Sequence, residues 1–338
     1  MRSHAIELIA PGVEGIVAAE RDAPEPGPGE ALVRLAGACL NYRDAVVVWG
    51  LLPGLDYPFV PLSDGCGTIV AVGSEVERVR PGDRVAPAFY PDWVDGPPTR
   101  ENKRVVLGEG RDGCCTQHLL TAAEALVRVP EHLSDLEAAT LPCAAVTAWR
   151  ALAVDGAAGP GKTVVVQGTG GVSIFALQIA RALGARVIAT SSQDEKLERC
   201  RTLGADSTVN YRTHPDWSAE VRALTDGRGA DVIVDVGGAG SIEQSVRAAA
   251  VGGHVAIVGI LAGVGDAALS VATAMRRNLT LKGVTVGSRT DFENLCRFLG
   301  EHRLHPVISD TFAMEDLGRA VEHLEAGRHF GKIAIAIP

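Results

Sequence analysis

The sequence predicts an α/β protein in which a doubly wound, parallel six-stranded sheet is joined to a β-rich domain. Three observations carry this. Residues 163–166, 186–190, 207–210, 232–236, 254–258 and 281–286 are β-type runs, mostly separated by helical patterns. Alternation of that kind builds a parallel sheet. Several of the runs are apolar throughout, as strands become when helices cover both faces of a sheet. A glycine-rich turn follows the first run and opens a helix, which aims main-chain amides at an anion.

In chain order, residues 1–133 form the β-rich unit. Short runs at 31–35, 67–72 and 84–88 alternate there with Gly, Pro and Asp clusters. Residues 90–109, YPDWVDGPPTRENKRVVLGE, are polar and proline-rich and read as a surface loop over a cleft. CCTQHLL, at 114–120, reads as a strand entering the core. The six strands occupy residues 134–288 and fit two mononucleotide-binding halves. The tail carries helix patterns at 291–302 and 315–326 and a last strand at 332–337. That strand has no seventh place in the sheet, so residues 289–338 are expected to complete the first domain.

Composition narrows the function. The 338 residues are 46% hydrophobic and 22% charged, a globular balance. Net charge is −9, with Lys and Arg scattered, so nucleic acid, which needs a basic face, is excluded as a partner. No stretch approaches a membrane span, and the first residues lack the pattern of an export signal. The expected location is the cytoplasm, with no membrane partner. The 7 cysteines are irregularly spaced, with no CxxC pair, so reduced thiols are expected and a structural zinc is not.

The turn reads TVVVQGTGGVS over 163–173. Gly168 allows the tight bend, and Gly170 lets the backbone approach a pyrophosphate. Thr169, Gly171 and Val172 complete the cradle, while Ser173 stands where the fingerprint has its third glycine. In the six-strand context this reads as a Rossmann dinucleotide site; the alternative is a glycine-rich turn with no ligand. An acid about 20 residues further on would hold the adenosine ribose of NAD. ATSSQ, at 189–193, has none. Ser191 and Ser192 can donate to a 2′-phosphate, Lys196 supplies charge a turn later, and Tyr211 follows the third strand. The expected cofactor is therefore NADPH. The alternative for Lys196 is a solvated helix residue beside Asp194 and Glu195.

Further motifs carry a family likeness over nearly the whole chain. GDRV (82–85), LPCAAVTAW (141–149), GTGGVS (168–173), DVGG (235–238) and FGK (330–332) resemble the medium-chain dehydrogenase/reductase superfamily. LNYRD (40–44), PLSDG (61–65) and NYRTHPDW (210–217) are similar to its zinc-free, quinone-oxidoreductase-like and alcohol dehydrogenase-like branch. The resemblance implies a GroES-like catalytic domain, a Rossmann domain and a homodimer or tetramer, of which the homodimer is expected here. It adds Asn41, Thr147, Gly237, Gly259, Ile260 and Lys332 to the expected cofactor contacts.

Zinc members carry Cys where this chain has Asn41, and His-Glu where it has Ser63-Asp64; of the matching ligands only Cys143 remains. A catalytic zinc needs three protein ligands and a water, so no metal is expected, and Cys143 reads as a buried small hydrophobe. Hydride transfer to a carbonyl then needs hydrogen-bond donors for the developing oxyanion. The candidates are Asn41, Tyr42, Ser63, Tyr90 and Trp93. Quinone-oxidoreductase relatives often have Tyr where this chain has Val46, which weakens transfer of their detailed chemistry. The expected activity is NADPH-dependent, zinc-independent reduction of a small-molecule enone, quinone or related carbonyl. The alternatives are a zinc-independent ketone reductase or alcohol dehydrogenase, and an NADPH-binding protein with vestigial catalysis.

Overall fold

The computed structural model describes residues 2–263 and 265–338. The chain divides into two compact units, Met1–Val146 with Gly287–Pro338 and Thr147–Val286.

In the second unit the strands Thr163–Gln167, Arg186–Ser191, Ser207–Asn210, Ala230–Asp235, Ala249–Ile257 and Thr280–Gly283 form one parallel sheet. Their spatial order is third, second, first, fourth, fifth, sixth. Val164, Val165 and Val166 are all buried, as are Val232, Ile233 and Val234 beside them. These apolar runs on adjacent central strands are what helices on both faces require. The helix Gly171–Ala182 follows the first strand and stops where Gly184 turns left-handed, at φ 82°. Strand order reverses between the first and fourth strands, which pair at Val164 and Val232. The last strand is shorter than the expected 281–286. It ends at Gly283, and Val286 takes a left-handed φ of 59° that no strand accommodates.

The first unit is built on a seven-stranded sheet. Its path runs Ile308–Ala313, Lys332–Ala336, Glu30–Leu40, Asp64–Val72, Arg84–Pro87 and Leu126–Arg128, with His118–Ala122 pairing to Glu30–Leu40. The closing strand does return here, antiparallel to Glu30–Leu40, with Ile333 opposite Leu40. Ile333, Ile335, Leu35, Leu40, Val47, Phe59 and Leu62 share one buried apolar core. Within CCTQHLL only the part from His118 is strand; Cys114 and Cys115 precede it, both buried.

The unit boundary falls at Val146, not at the expected 133. The helix Asp135–Ala138 packs on Gly37 of the long strand so closely that a Cβ there would meet Leu136 Cδ2 at 2.8 Å. Asp135 also pairs with Arg84 at 2.7 Å. Residues 134–146 thus belong to the sheet of the first unit. Among the described residues no helix is long and apolar enough to cross a membrane.

Candidate functional site

Each unit carries one polar centre. In the second unit it lies at the carboxyl ends of the first and fourth strands, where doubly wound sheets bind ligands. Gly168 leaves the first strand at φ 72°, a conformation that favours glycine, and its amide donates to Thr190 O at 2.8 Å. Gly170 is the N-cap of the following helix. The first amides of that helix have no partner within it, so they can serve a phosphate. Thr169, Gly171 and Val172 line this start. Ser173, at the third-glycine position, is buried, and its hydroxyl donates to Gln167 O at 2.6 Å. A small hydroxyl is therefore tolerated there because the strand end accepts its proton.

Beside this turn, Ser191 closes the second strand, buried, and the Tyr211 amide donates to its carbonyl at 3.1 Å. Those two expected residues are thereby adjacent. Lys196 lies half-buried on the helix Asp194–Thr202, its pKa lowered by burial and by Arg199. Ser192 is half-buried at the same strand exit. The acid Asp194 is occupied: Asn210 Nδ2 donates to its Oδ1 at 2.7 Å. Thr147 is buried. Gly237 and Gly259 are at the exits of the fourth and fifth strands, where a Cβ on Gly259 would come 2.4 Å from Val236 O. Ile260 is exposed.

In the first unit a largely buried polar network surrounds Asn41, with Arg43 and Cys143 partly exposed at its margin. Lys332 Nζ donates to Asn41 Oδ1 at 2.5 Å and to Leu40 O at 2.7 Å. An ammonium only donates, so it fixes the amide with its oxygen toward Lys332 and its NH2 toward Ser63 Oγ, 3.4 Å away. Ser63 Oγ donates to Asp64 Oδ1 at 2.7 Å, and Asp64 Oδ2 accepts the Cys143 amide at 3.0 Å. Asp44 accepts the Asn41 amide at 2.7 Å and pairs with Arg43 at 3.1 Å. Arg43 reaches on to Glu109 and lies over the Phe89 ring.

Burial governs the titrations. It pushes Asp44 up to about 6 against the pull of Arg43, and raises Asp64 against Lys332. It also raises the Cys143 thiol well above its usual value. Burial would lower Lys332, but Cys39 and Asp64 hold it above the ordinary lysine value.

This geometry revises several expectations. Ser63 is fully buried with its proton committed to Asp64, so it cannot donate to a substrate. Trp93 is 1% exposed and its indole N–H donates to Gly96 O at 3.1 Å. Its backbone carbonyl accepts from Arg289, which pins the start of the 90–109 loop. Tyr90 is buried in the same aromatic cluster, edge-on to Phe89 at 4.7 Å. Tyr42 is 49% exposed. Lys332, expected at the cofactor, spends its ammonium on Asn41 and Leu40. Sequence reasoning missed Arg43, and it missed Asp235, whose carboxylate gathers the turn after the fourth strand. The motif DVGG marked Asp235 without revealing what it accepts.

Comparison with known proteins gives these centres a family. Residues 27–131 match the family model for the alcohol dehydrogenase GroES-like domain, and residues 171–301 match that for zinc-binding dehydrogenase. A zinc-type alcohol dehydrogenase-like protein of Schizosaccharomyces pombe is 39% identical, covering 96% of each chain. The chain belongs to the medium-chain dehydrogenase/reductase superfamily. A solved NAD-dependent alcohol dehydrogenase is 37% identical, with a TM-score of 0.90, over 99% of this chain and 100% of that one. An acryloyl-coenzyme A reductase of Metallosphaera sedula is 27% identical over 95% and 96% of the two chains. As a superfamily member this chain is an alcohol dehydrogenase-like oxidoreductase, and the superfamily implies a nicotinamide cofactor.

The superfamily also includes zinc enzymes, and the donors of this chain fit that ion poorly. At the matching positions stand an amide held by Lys332, a hydroxyl held by Asp64 and one thiol. Among the described residues no group of three or more His, Cys, Asp or Glu side chains could hold a metal. A dication is stabilised by several anionic or imidazole ligands, and this set offers one thiol and the Asp64 carboxylate, whose two oxygens accept from Ser63 and the Cys143 amide.

Proposed function

We propose that this superfamily member is a zinc-independent, NADPH-dependent reductase of enones, quinones or related carbonyls. The observation that carries the reading is the Asn41 network. It places neutral hydrogen-bonding groups at the positions zinc relatives use as ligands, and balances Asp44 and Asp64 with Arg43 and Lys332. Without a Lewis acid, an acceptor that spreads the incoming charge is the easier substrate. NADPH held by the turn at 168–173 would supply a hydride to the acceptor's electrophilic carbon and be left as NADP+. The acceptor's carbonyl oxygen would gain the displaced electron pair and take a proton from solvent. The donor assigned to that oxygen is Asn41. Its amide is oriented by Lys332, with the NH2 side 3.4 Å from Ser63 Oγ and hydrogen-bonded to the Asp64 carboxylate.

The preference for NADPH rests on Ser191, Ser192, Lys196 and Tyr211 clustering at the second-strand exit, with Asp194 occupied by Asn210. The relative named for acryloyl-coenzyme A reduction supports an activated acceptor. A homodimer is proposed through the edge strand Thr280–Gly283, flanked by Val271 and Met275, each 70% exposed.

The test follows NADPH oxidation at 340 nm against cyclohexenone, benzoquinone and cyclohexanone. Turnover fastest with the first two supports the reading. Turnover confined to the saturated ketone favours the ketone reductase alternative. Tight NADPH binding with no turnover on any acceptor favours vestigial catalysis.

A further inference from the structure

Asp235 ends the fourth strand of the nucleotide-binding unit and is completely buried. A buried carboxylate is costly unless hydrogen bonds satisfy it, and this one is saturated. Its Oδ1 accepts the amides of Gly237 at 3.0 Å and Gly238 at 2.9 Å, and the Ser241 hydroxyl at 2.6 Å. Its Oδ2 accepts the Ser245 hydroxyl at 2.5 Å.

The chain of contacts continues across the switch point. Ser245 Oγ in turn accepts from Gln167 Nε2 at 2.7 Å, and Gln167 O accepts from Ser173 Oγ at 2.6 Å. Gln167 closes the first strand, and Ser173 lies in the first turn of the helix that faces the phosphate. A relay of contacts, joined through the side chain and backbone of Gln167, therefore links the pyrophosphate turn at 168–173 to the turn at 237–241. These are the exits of the two strands between which a doubly wound sheet holds its dinucleotide.

The second turn has little freedom apart from that carboxylate. Gly238 takes a φ of 71°, and a Cβ on it would come 2.8 Å from Gly259 O. A Cβ on Gly237 would come 2.4 Å from Ser241 Oγ. The backbone there is folded tightly around Asp235 and packed against the exit of the fifth strand.

We infer that Asp235, acting through Ser245 and Gln167, is a positioning residue that fixes the spacing between the two turns holding the two halves of the nicotinamide dinucleotide. The inference rests on the reading of this unit as a nucleotide site. A dinucleotide spans both turns and needs them in register. A ligand with only the adenosine half needs the first turn alone. The relay therefore controls affinity for the whole molecule and leaves affinity for the half unchanged.

The experiment measures dissociation constants for NADPH and for 2′,5′-ADP by calorimetry on the full chain, wild type and variants. Asp235→Asn keeps the side-chain shape but removes the charge, and is expected to weaken NADPH about tenfold or more, with 2′,5′-ADP within about twofold. Ser245→Ala leaves Asp235 and its three Oδ1 contacts intact while cutting the link to Gln167. It is expected to weaken NADPH by about threefold to tenfold, again with 2′,5′-ADP unchanged. It keeps the test decisive if the Asp235 variant does not fold. A general structural role would move both ligands together. Equal losses for NADPH and 2′,5′-ADP, or no loss of NADPH affinity in Ser245→Ala, would overturn the inference. A wild-type protein that binds neither NADPH nor NADH would instead overturn the nucleotide reading itself, and the relay's role with it.

Discussion

The two polar centres are assembled in opposite ways. The nucleotide turn is contiguous: Gly168, Gly170 and Ser173 lie within one strand–turn–helix, and each acts through its own backbone or the nearest strand end. The Asn41 network draws on residues far apart in sequence, joining Lys332 to Asn41, Asn41 to Ser63 and Asp64 to Cys143. A contiguous centre takes its shape from local conformation, and distant groups such as Asp235 and Ser245 bear on it only through the end of its strand. A dispersed, buried, charged centre depends on the whole fold of its unit, because each charge is compensated only by partners elsewhere.

The most severe way to test that contrast is Lys332→Met. It removes the cation facing Asn41 and Asp64 and leaves Asp64 buried without it. The expected loss is about 3–5 kcal/mol of stability, read by denaturant unfolding. A loss below about 1 kcal/mol would mean that the network is not held by its charges.

In the nucleotide unit, a comparable change at the surface should alter selectivity and little else. Lys196→Asp is expected to swing the ratio of NADPH to NADH efficiency by about tenfold or more toward NADH, with thermal stability almost unchanged. An unchanged ratio would remove Lys196 from the 2′-phosphate site.

The smallest effect is a slope. Asp44 is raised from 3.8 to about 6 by burial, so the folded chain binds its proton more tightly than the unfolded one. Its contribution to stability is therefore most favourable below pH 4 and declines as pH rises through the window from 4 to 6. Asp44→Asn should flatten that part of the stability–pH curve, with Arg43 retaining Glu109 as a partner. An unaltered slope would place the titration elsewhere.

The same contrast explains what could be read from the sequence. The six strands followed from apolar runs and helical spacing, which are local signals, and so did the turn at 168–173. The closing strand's return to the first unit followed from its having no place in the six-stranded sheet. The boundary at 146 did not, because residues 134–146 are placed by Leu136 against Gly37 and by Asp135 against Arg84, partners no local pattern reveals. Asn41 stood out from its family position, but the partners that orient it did not. Ser63 was misjudged because nothing in PLSDG tells whether its hydroxyl faces outward or toward Asp64. Asp235 was visible as a motif residue, but its four donors come together only when the turn folds back on it.

The central claim is that hydride leaves a bound NADPH without help from a divalent ion. Its most direct test is NADPH oxidation with cyclohexenone before and after exhaustive dialysis against dipicolinic acid, with elemental analysis of the same samples. The account predicts equal turnover in both samples and no stoichiometric transition metal in either. Turnover that vanishes on dialysis and returns with added zinc would contradict it.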